Sequence, residues 1–307
     1  MTHAMRTLTT TLAGLFVAAT LVAAQAPAPA PAAPAGEPAQ GGRAGGAGQQ
    51  GGGGGRQGGA APQRPPAGPV KRMPDGKPDL TGHFSGDAGG ANYGLESSTG
   101  GFLLPRSRGI VLDPADGKLP YQDWARAEFI SRGKPERGYD DPTAHCFVAG
   151  FSRSLWTPSP YQIIQPPGYL VIMFERMSWR VIPIDANRKH LPENVRLWQG
   201  DSIGHWEGDT LVVETANNNG KVWMNEAGDI ISYAATGVER FTPEDADTID
   251  YKVTITDPVV MTRPYTLGFK IRRQQGEILE VACHEDNQDL EHLKHVKEEA
   301  KKNGTLK

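Results

Sequence analysis

Between Thr248 and Arg272 the chain alternates apolar and polar residues with period two. In Thr248–Thr256, TIDYKVTIT, Ile249, Tyr251, Val253 and Ile255 share one face, and Asp250, Lys252 and Thr254 the other. In YTLGFKIR, Tyr265, Leu267, Phe269 and Ile271 oppose Thr266, Lys270 and Arg272. A period of 3.6 cannot produce this pattern, so these are half-buried antiparallel strands. YLVIMFE (169–175) is apolar on both faces and reads as a more central strand. ILEVAC (278–283) reads as a further strand that places Cys283 beside Leu279 and Val281. The connections RMS, EGD, PEDAD and QQGE are short and carry turn chemistry. Together they predict a meander of roughly nine or ten strands. A meander that long must curl to manage its edges. The expected class is therefore all-β: a single antiparallel β-barrel or a curved β-sandwich, a lipocalin-like arrangement among the options, with a few peripheral helices. Helical spacing is confined to two places. Trp124, Ala125, Phe129 and Ile130 lie in 120–133, closed by Gly133. Leu290, Leu293, Val296 and Ala300 lie in 287–304, opened by Asn287 and closed by Gly304.

The rest of the chain is organised around that β-rich portion. Residues 1–26 read as a signal peptide: Arg6, a short apolar run from Leu12 to Ala24, and small residues at Ala24 and Ala26. The run is too short to span a membrane, so no transmembrane segment is expected after cleavage. Residues 27–70 alternate Pro with Ala and then run in Gly, the composition of a disordered spacer. Residues 71–307 form the β-rich domain with its C-terminal helix. A net charge of −3 without a basic stripe argues against nucleic acid as a partner. The location expected is periplasmic or secreted. In that setting the two cysteines, Cys146 and Cys283, read as a disulfide, with two free thiols as the alternative. Nothing in the pattern sets the oligomeric state.

SIGHWEGDTLVVET (202–215) gathers a histidine, two acids and a tryptophan within five residues. Glu207-Gly208 suits a two-residue turn, with Gly208 supplying a positive φ. That register pairs Trp206 with Asp209, His205 with Thr210 and Ile203 with Val212. Trp206, Leu211 and Val213 then share one face, and His205, Ile203 and Val212 the other. Glu207 and Asp209 fall at the tip, poorly placed to work with His205.

DGKPDLTGHF (75–84), LPYQDWA (119–125), DDPTAHC (140–146), the SIGHWEGDTLVVET segment and ACHEDN (282–287) occur in that order. In these five ordered blocks the chain resembles a large family of exported, functionally uncharacterised bacterial proteins, a resemblance that covers nearly all of residues 73 to 287. The family pattern carries PDLSG, DDP…C and SIG-x-WEGDTLVV. The resemblance implies an architecture and a shared disulfide, but no reaction. The chain departs from it at Val148, Ala149 and Ser152, where the family has prolines, while Gly150 and Arg153 are kept. Phe84, preceded by His83, replaces a tryptophan, and His205 replaces an arginine. If that arginine binds an anion, His205 does so only when protonated.

Candidate chemistry is scattered. His284-Glu285 fails the zinc-protease pattern because position 288 is Gln, and no metal site is expected. On a strand His284 and Glu285 would point to opposite faces. Glu175 and Arg180 flank a tight connection and are placed to pair across it. In GVERF, either Glu239 or Arg240 must face inward if Val238 and Phe241 both pack, and an inward charge needs a partner. Glu175, His284 and Glu285 are the candidate acid–base residues. Arg153, Gln165, Arg180, His205, Glu239, Arg240 and Asn287 are the candidate ligand contacts, with Trp179 as a further pocket liner. Phosphate loop, dinucleotide fingerprint and nucleophile elbow are all missing, so no cofactor is expected. The function expected is binding of a small molecule. The alternative is a periplasmic hydrolase, lyase or isomerase working by acid–base chemistry in the barrel pocket.

Overall fold

The structure is a computed structural model that describes residues 67–100, 104–176, 178–285 and 287–306. The expected signal peptide, and the spacer up to residue 66, lie outside the described residues.

Ten strands form one antiparallel sheet: β1 (Gly82–Asp87), β2 (Val111–Asp113), β3 (Tyr161–Ile164), β4 (Tyr169–Phe174), β5 (Ser178–Pro183), β6 (Asp201–Glu207), β7 (Thr210–Ala216), β8 (Thr236–Pro243), β9 (Thr248–Thr256) and β10 (Tyr265–Arg273). The order around the sheet is β5-β4-β3-β1-β10-β9-β8-β7-β6. Strands β6 to β10 are the expected meander. Strand β1 enters between β10 and β3, antiparallel to both, and so joins the first strand of the sheet to the last. Because β9 occupies one edge of β10, β2 pairs on the same edge as β1, along the first residues of β10. The sheet curls into a nearly closed barrel whose seam lies between β5 and β6. Among the described residues only the parallel bridge Ile184–Gly204 crosses that seam as backbone pairing.

The alternation read from sequence is the inside–outside pattern of the barrel wall. Tyr251, Val253 and Ile255 of β9 and Leu267, Phe269 and Ile271 of β10 are buried, and their alternates face outward. The lumen is packed rather than open. A helical turn, α2 (Arg153–Trp156), and the residues before it enter the barrel. The Phe151 ring lies over the Arg180 guanidinium of β5, and Ser152 bonds Tyr251 of β9. Gly237 of β8 permits this close approach, since a Cβ there would sit 2.2 Å from the Phe151 ring.

Helix α1 (Asp123–Arg132) and helix α3 (Gln288–Lys302) fall inside the expected helical stretches. Cys146 and Cys283 are joined. Three expectations are corrected. Residues 278–283 form no strand. Both edges of β10 are already taken, and Gly276, at φ 106°, turns the chain away from the sheet. Strand β4 is not deeply central: it lies between β3 and β5 with its outer face bare, Tyr169 and Met173 exposed. The β6–β7 turn is Gly208-Asp209, so Glu207 pairs with Thr210, Trp206 with Leu211 and His205 with Val212. Gly208, at φ 59°, stands at the first central position, as a II′ turn requires. The one-residue displacement of the turn preserves parity, so the two faces of the hairpin are as read.

Candidate functional site

Two polar assemblies stand out, one inside the barrel and one on its rim. The inner one grows from the alternation of four strands. Arg180 (β5), Ser202 (β6), Thr215 (β7) and Glu239 (β8) all point into the lumen, together with Tyr251 of β9. Glu239 is 0% exposed and Arg180 4%. Arg180 Nη1 donates to Glu239 Oε1 at 2.9 Å, and Nη2 donates to Oε2, to Thr215 Oγ1 (2.7 Å) and to Ser202 Oγ (2.8 Å). Tyr251 donates its hydroxyl to Glu239 Oε1 at 2.8 Å. With that proton committed, Ser152 Oγ, 3.0 Å away, is the donor to the Tyr251 oxygen. Burial opposes the Arg180 charge, but Glu239 beside it prevails and holds the guanidinium above its usual range. Burial, and then the negative Glu239, push the Tyr251 phenol well up. The group is thus an ion pair with satisfied hydrogen bonds, the condition for keeping charge in a low-dielectric interior. It spans the seam that the sheet leaves without a ladder, tying β5 to β6, β7 and β8. Ser152 sits at φ 67°, ψ −48°, with Arg153 N–H bonded to Phe151 O at 2.9 Å. This is a positive-φ γ-turn, a strained conformation for a residue with a side chain.

The rim assembly is a cleft of about 300 Å³ built from three separated segments. His83 and Ser85 come from β1, where alternation places them opposite the buried Phe84. Pro158, Ser159 and Pro160 lead into β3, and Gln274, Gln275, Gly276 and Glu277 follow β10. Gln274 Nε2 donates to Ser85 Oγ at 2.7 Å, and Arg176 Nε to Ser159 Oγ at 3.1 Å. Both hydroxyls accept, so each keeps its own proton to offer. Among the described residues neither hydroxyl donates to another group. A second cleft, about 280 Å³ beside α1, is lined by Tyr93, Glu96, Leu104, Phe129 and Ile130.

Of the residues singled out from sequence, Arg180 and Glu239 meet. None of the others joins that pair. Glu175 does not pair with Arg180; its Oε1 accepts the Leu279 N–H at 3.1 Å. Arg240 faces outward and bonds Glu207. His205 also contacts Glu207, at 3.3 Å, because residues two apart on a strand share a face; the reading that kept them apart is corrected. Arg153 is buried in a paired contact with Asp141, 2.9 and 2.8 Å, and also bonds Trp223 O and Thr143 Oγ1. Gln165 holds the chain at Leu80 N and Pro78 O. Asn287 braces the disulfide loop through Ala144 O. His284 and Glu285 are exposed just after Cys283, and Trp179 is exposed on the barrel exterior. None of these residues lines the rim cleft.

Sequence reasoning missed Ser85, Ser159 and Gln274 to Glu277, and gave His83 no role. The alternation around Phe84 carried a signal for His83 and Ser85. The other segments reach the cleft only through tertiary folding. Also missed was Asp229, buried and bonded by Tyr121, Asn225 and the Leu95 N–H. Burial raises its carboxyl above the usual range. Comparison with protein families, with curated proteins and with solved structures finds no match for this chain.

Proposed function

We propose that this is an exported small-molecule-binding protein that takes its ligand in the rim cleft, in keeping with the resemblance to exported bacterial proteins. The observation that carries the reading is the convergence of two free hydroxyl protons, an imidazole, two carboxamides and a carboxylate on one concavity, from segments far apart in sequence. Such a lining suits a compact polar molecule bearing hydroxyl or carbonyl oxygens, and the volume matches the small end of ligand sites. Export is supported by the N-terminal pattern and by the disulfide. No helix among the described residues is long and apolar enough to cross a membrane. The test is native mass spectrometry of the full chain purified from an oxidising compartment. The expected result is a retained extra mass that disappears in a His83→Ala/Ser85→Ala double variant. A bare protein mass for the unaltered chain would overturn tight binding.

The enzyme reading rests on a different observation: the strained Ser152, wired through Tyr251 to Glu239. That chain of hydroxyls could carry a proton from Ser152 to the carboxylate. Ser152 is 2% exposed, however, so a substrate would need the lumen to open. Turnover in a hydrolase and lyase screen, abolished by Ser152→Ala, would favour this reading over the first.

A further inference from the structure

The barrel exterior carries paired charges on its C-terminal strands. On β9 and β10, Asp250, Lys252 and Lys270 face outward and pair with one another. The exterior of β3, β4 and β5 is different. Register places Ile164 beside Val171 and Val171 beside Val181, Met173 beside Trp179, and Tyr169 beside Pro183. Trp179 is 68% exposed, Val181 48%, Tyr169 45%, Met173 37% and Ile164 36%. Among the described residues no charged side chain stands on the outward face of these three strands. The exposed apolar area is on the order of 500 Å², the upper range for a monomer's largest patch.

We propose that this face is a homodimer interface, covered by the same face of a second copy of the chain. Two such faces bury on the order of 1,000 Å², the lower bound of a specific interface. A two-fold contact sets each residue against its own neighbourhood, so a charged face must avoid opposing like charges. A chargeless one meets itself without that cost, and curved sheets pack face to face through their side chains. A lipid surface is the weaker occupant. Amphipathic membrane contacts add Lys and Arg to the aromatic and aliphatic residues, and this face carries none. The inference is independent of the rim cleft, whose lining includes none of the five exposed residues.

The experiment is sedimentation velocity on the full chain, with Trp179→Glu, Met173→Glu and Val181→Lys as separate variants. Val238→Glu, at an exposed apolar position on β8, is the control. Far-UV circular dichroism and melting temperature establish that each variant is folded; the exposed positions give three independent chances of that. The unaltered chain is expected to sediment at twice its own mass. Trp179→Glu should raise the dimer dissociation constant roughly tenfold or more, and Val238→Glu should leave it in place. A chain that stays monomeric at about 100 µM would overturn the proposal. So would a dimer indifferent to all three variants, or a monomer that instead adsorbs to phosphatidylglycerol vesicles through Trp179.

Discussion

Arg180 and Glu239 lie on strands that are not neighbours, so their contact also ties the barrel across its seam. Removing one partner leaves an unpaired charge in the lumen. Glu239→Leu or Arg180→Met alone is expected to cost about 3–5 kcal/mol. The double variant Arg180→Met/Glu239→Leu exchanges the pair for apolar volume and should recover much of that loss. Urea unfolding of the three variants checks this. Additive losses in the double variant would show that the pair is not the coupling element. A second residue-scale effect depends on pH. Burial works against ionisation of Glu96, but hydrogen bonds from Arg126, the Leu119 N–H and Lys118 outweigh it, and the carboxyl lies below its ordinary range. With the folded value depressed, this carboxylate's contribution is complete above the unfolded value near pH ~4.3 and is lost as pH falls through the folded value. Glu96→Gln should therefore cost about 1–2 kcal/mol at neutral pH, a difference that shrinks below pH ~4. A difference that stays constant across that window would contradict the assignment.

At the scale of elements, the wall of the barrel was legible and its filling was not. Alternation in β9 and β10 reports which side chains face inward, because a pleated strand offers only two faces. It required an inward place for either Glu239 or Arg240, of which the structure buries Glu239, and, through parity, kept the faces of the β6–β7 hairpin despite a displaced turn. It failed at ILEVAC, whose pattern suits a strand but finds no free edge. It also failed at YLVIMFE, where apolar residues on both faces suggest two buried sides and the structure leaves one bare. Whether a face is covered by this chain, by another copy or by solvent is decided by partners that local sequence does not encode. The lumen plug was invisible for the same reason: the residues about Phe151 carry no periodicity, and their place inside the barrel depends on Gly237, far along the chain. Gly237→Ala tests the plug directly. Its backbone is ordinary, so the cost is steric, about 1–3 kcal/mol from displacing the Phe151 ring. Phe151→Leu in the same chain makes room and should restore part of the loss, read from paired thermal melts. Unchanged melting of Gly237→Ala would mean that the ring does not fill the lumen.

For the whole molecule, the cysteine pair does what the barrel ladders cannot. The C-terminal tail has no strand in the sheet. It is held by Cys283 to Cys146, 137 residues away in sequence, and by α3 lying against residues 135–140. Lys297 pairs with Asp140, Leu293 packs at Gly138, and Asn287 bonds Ala144 O. These are surface contacts, each worth little alone. The crosslink closes a long loop and, by chain entropy, stabilises by roughly 4–5 kcal/mol. Cutting it should act unevenly. In Cys146→Ala/Cys283→Ala the barrel ladders persist, so the β signal in far-UV circular dichroism is retained. The tail loses its anchor, so trypsin should cut first after Lys294, Lys297, Lys301 or Lys302. Mild reduction of the unaltered chain should give the same early cleavage. Simultaneous loss of barrel and tail on reduction would instead make the disulfide a requirement for the sheet itself, and would tie the fold, and not only the tail, to an oxidising compartment.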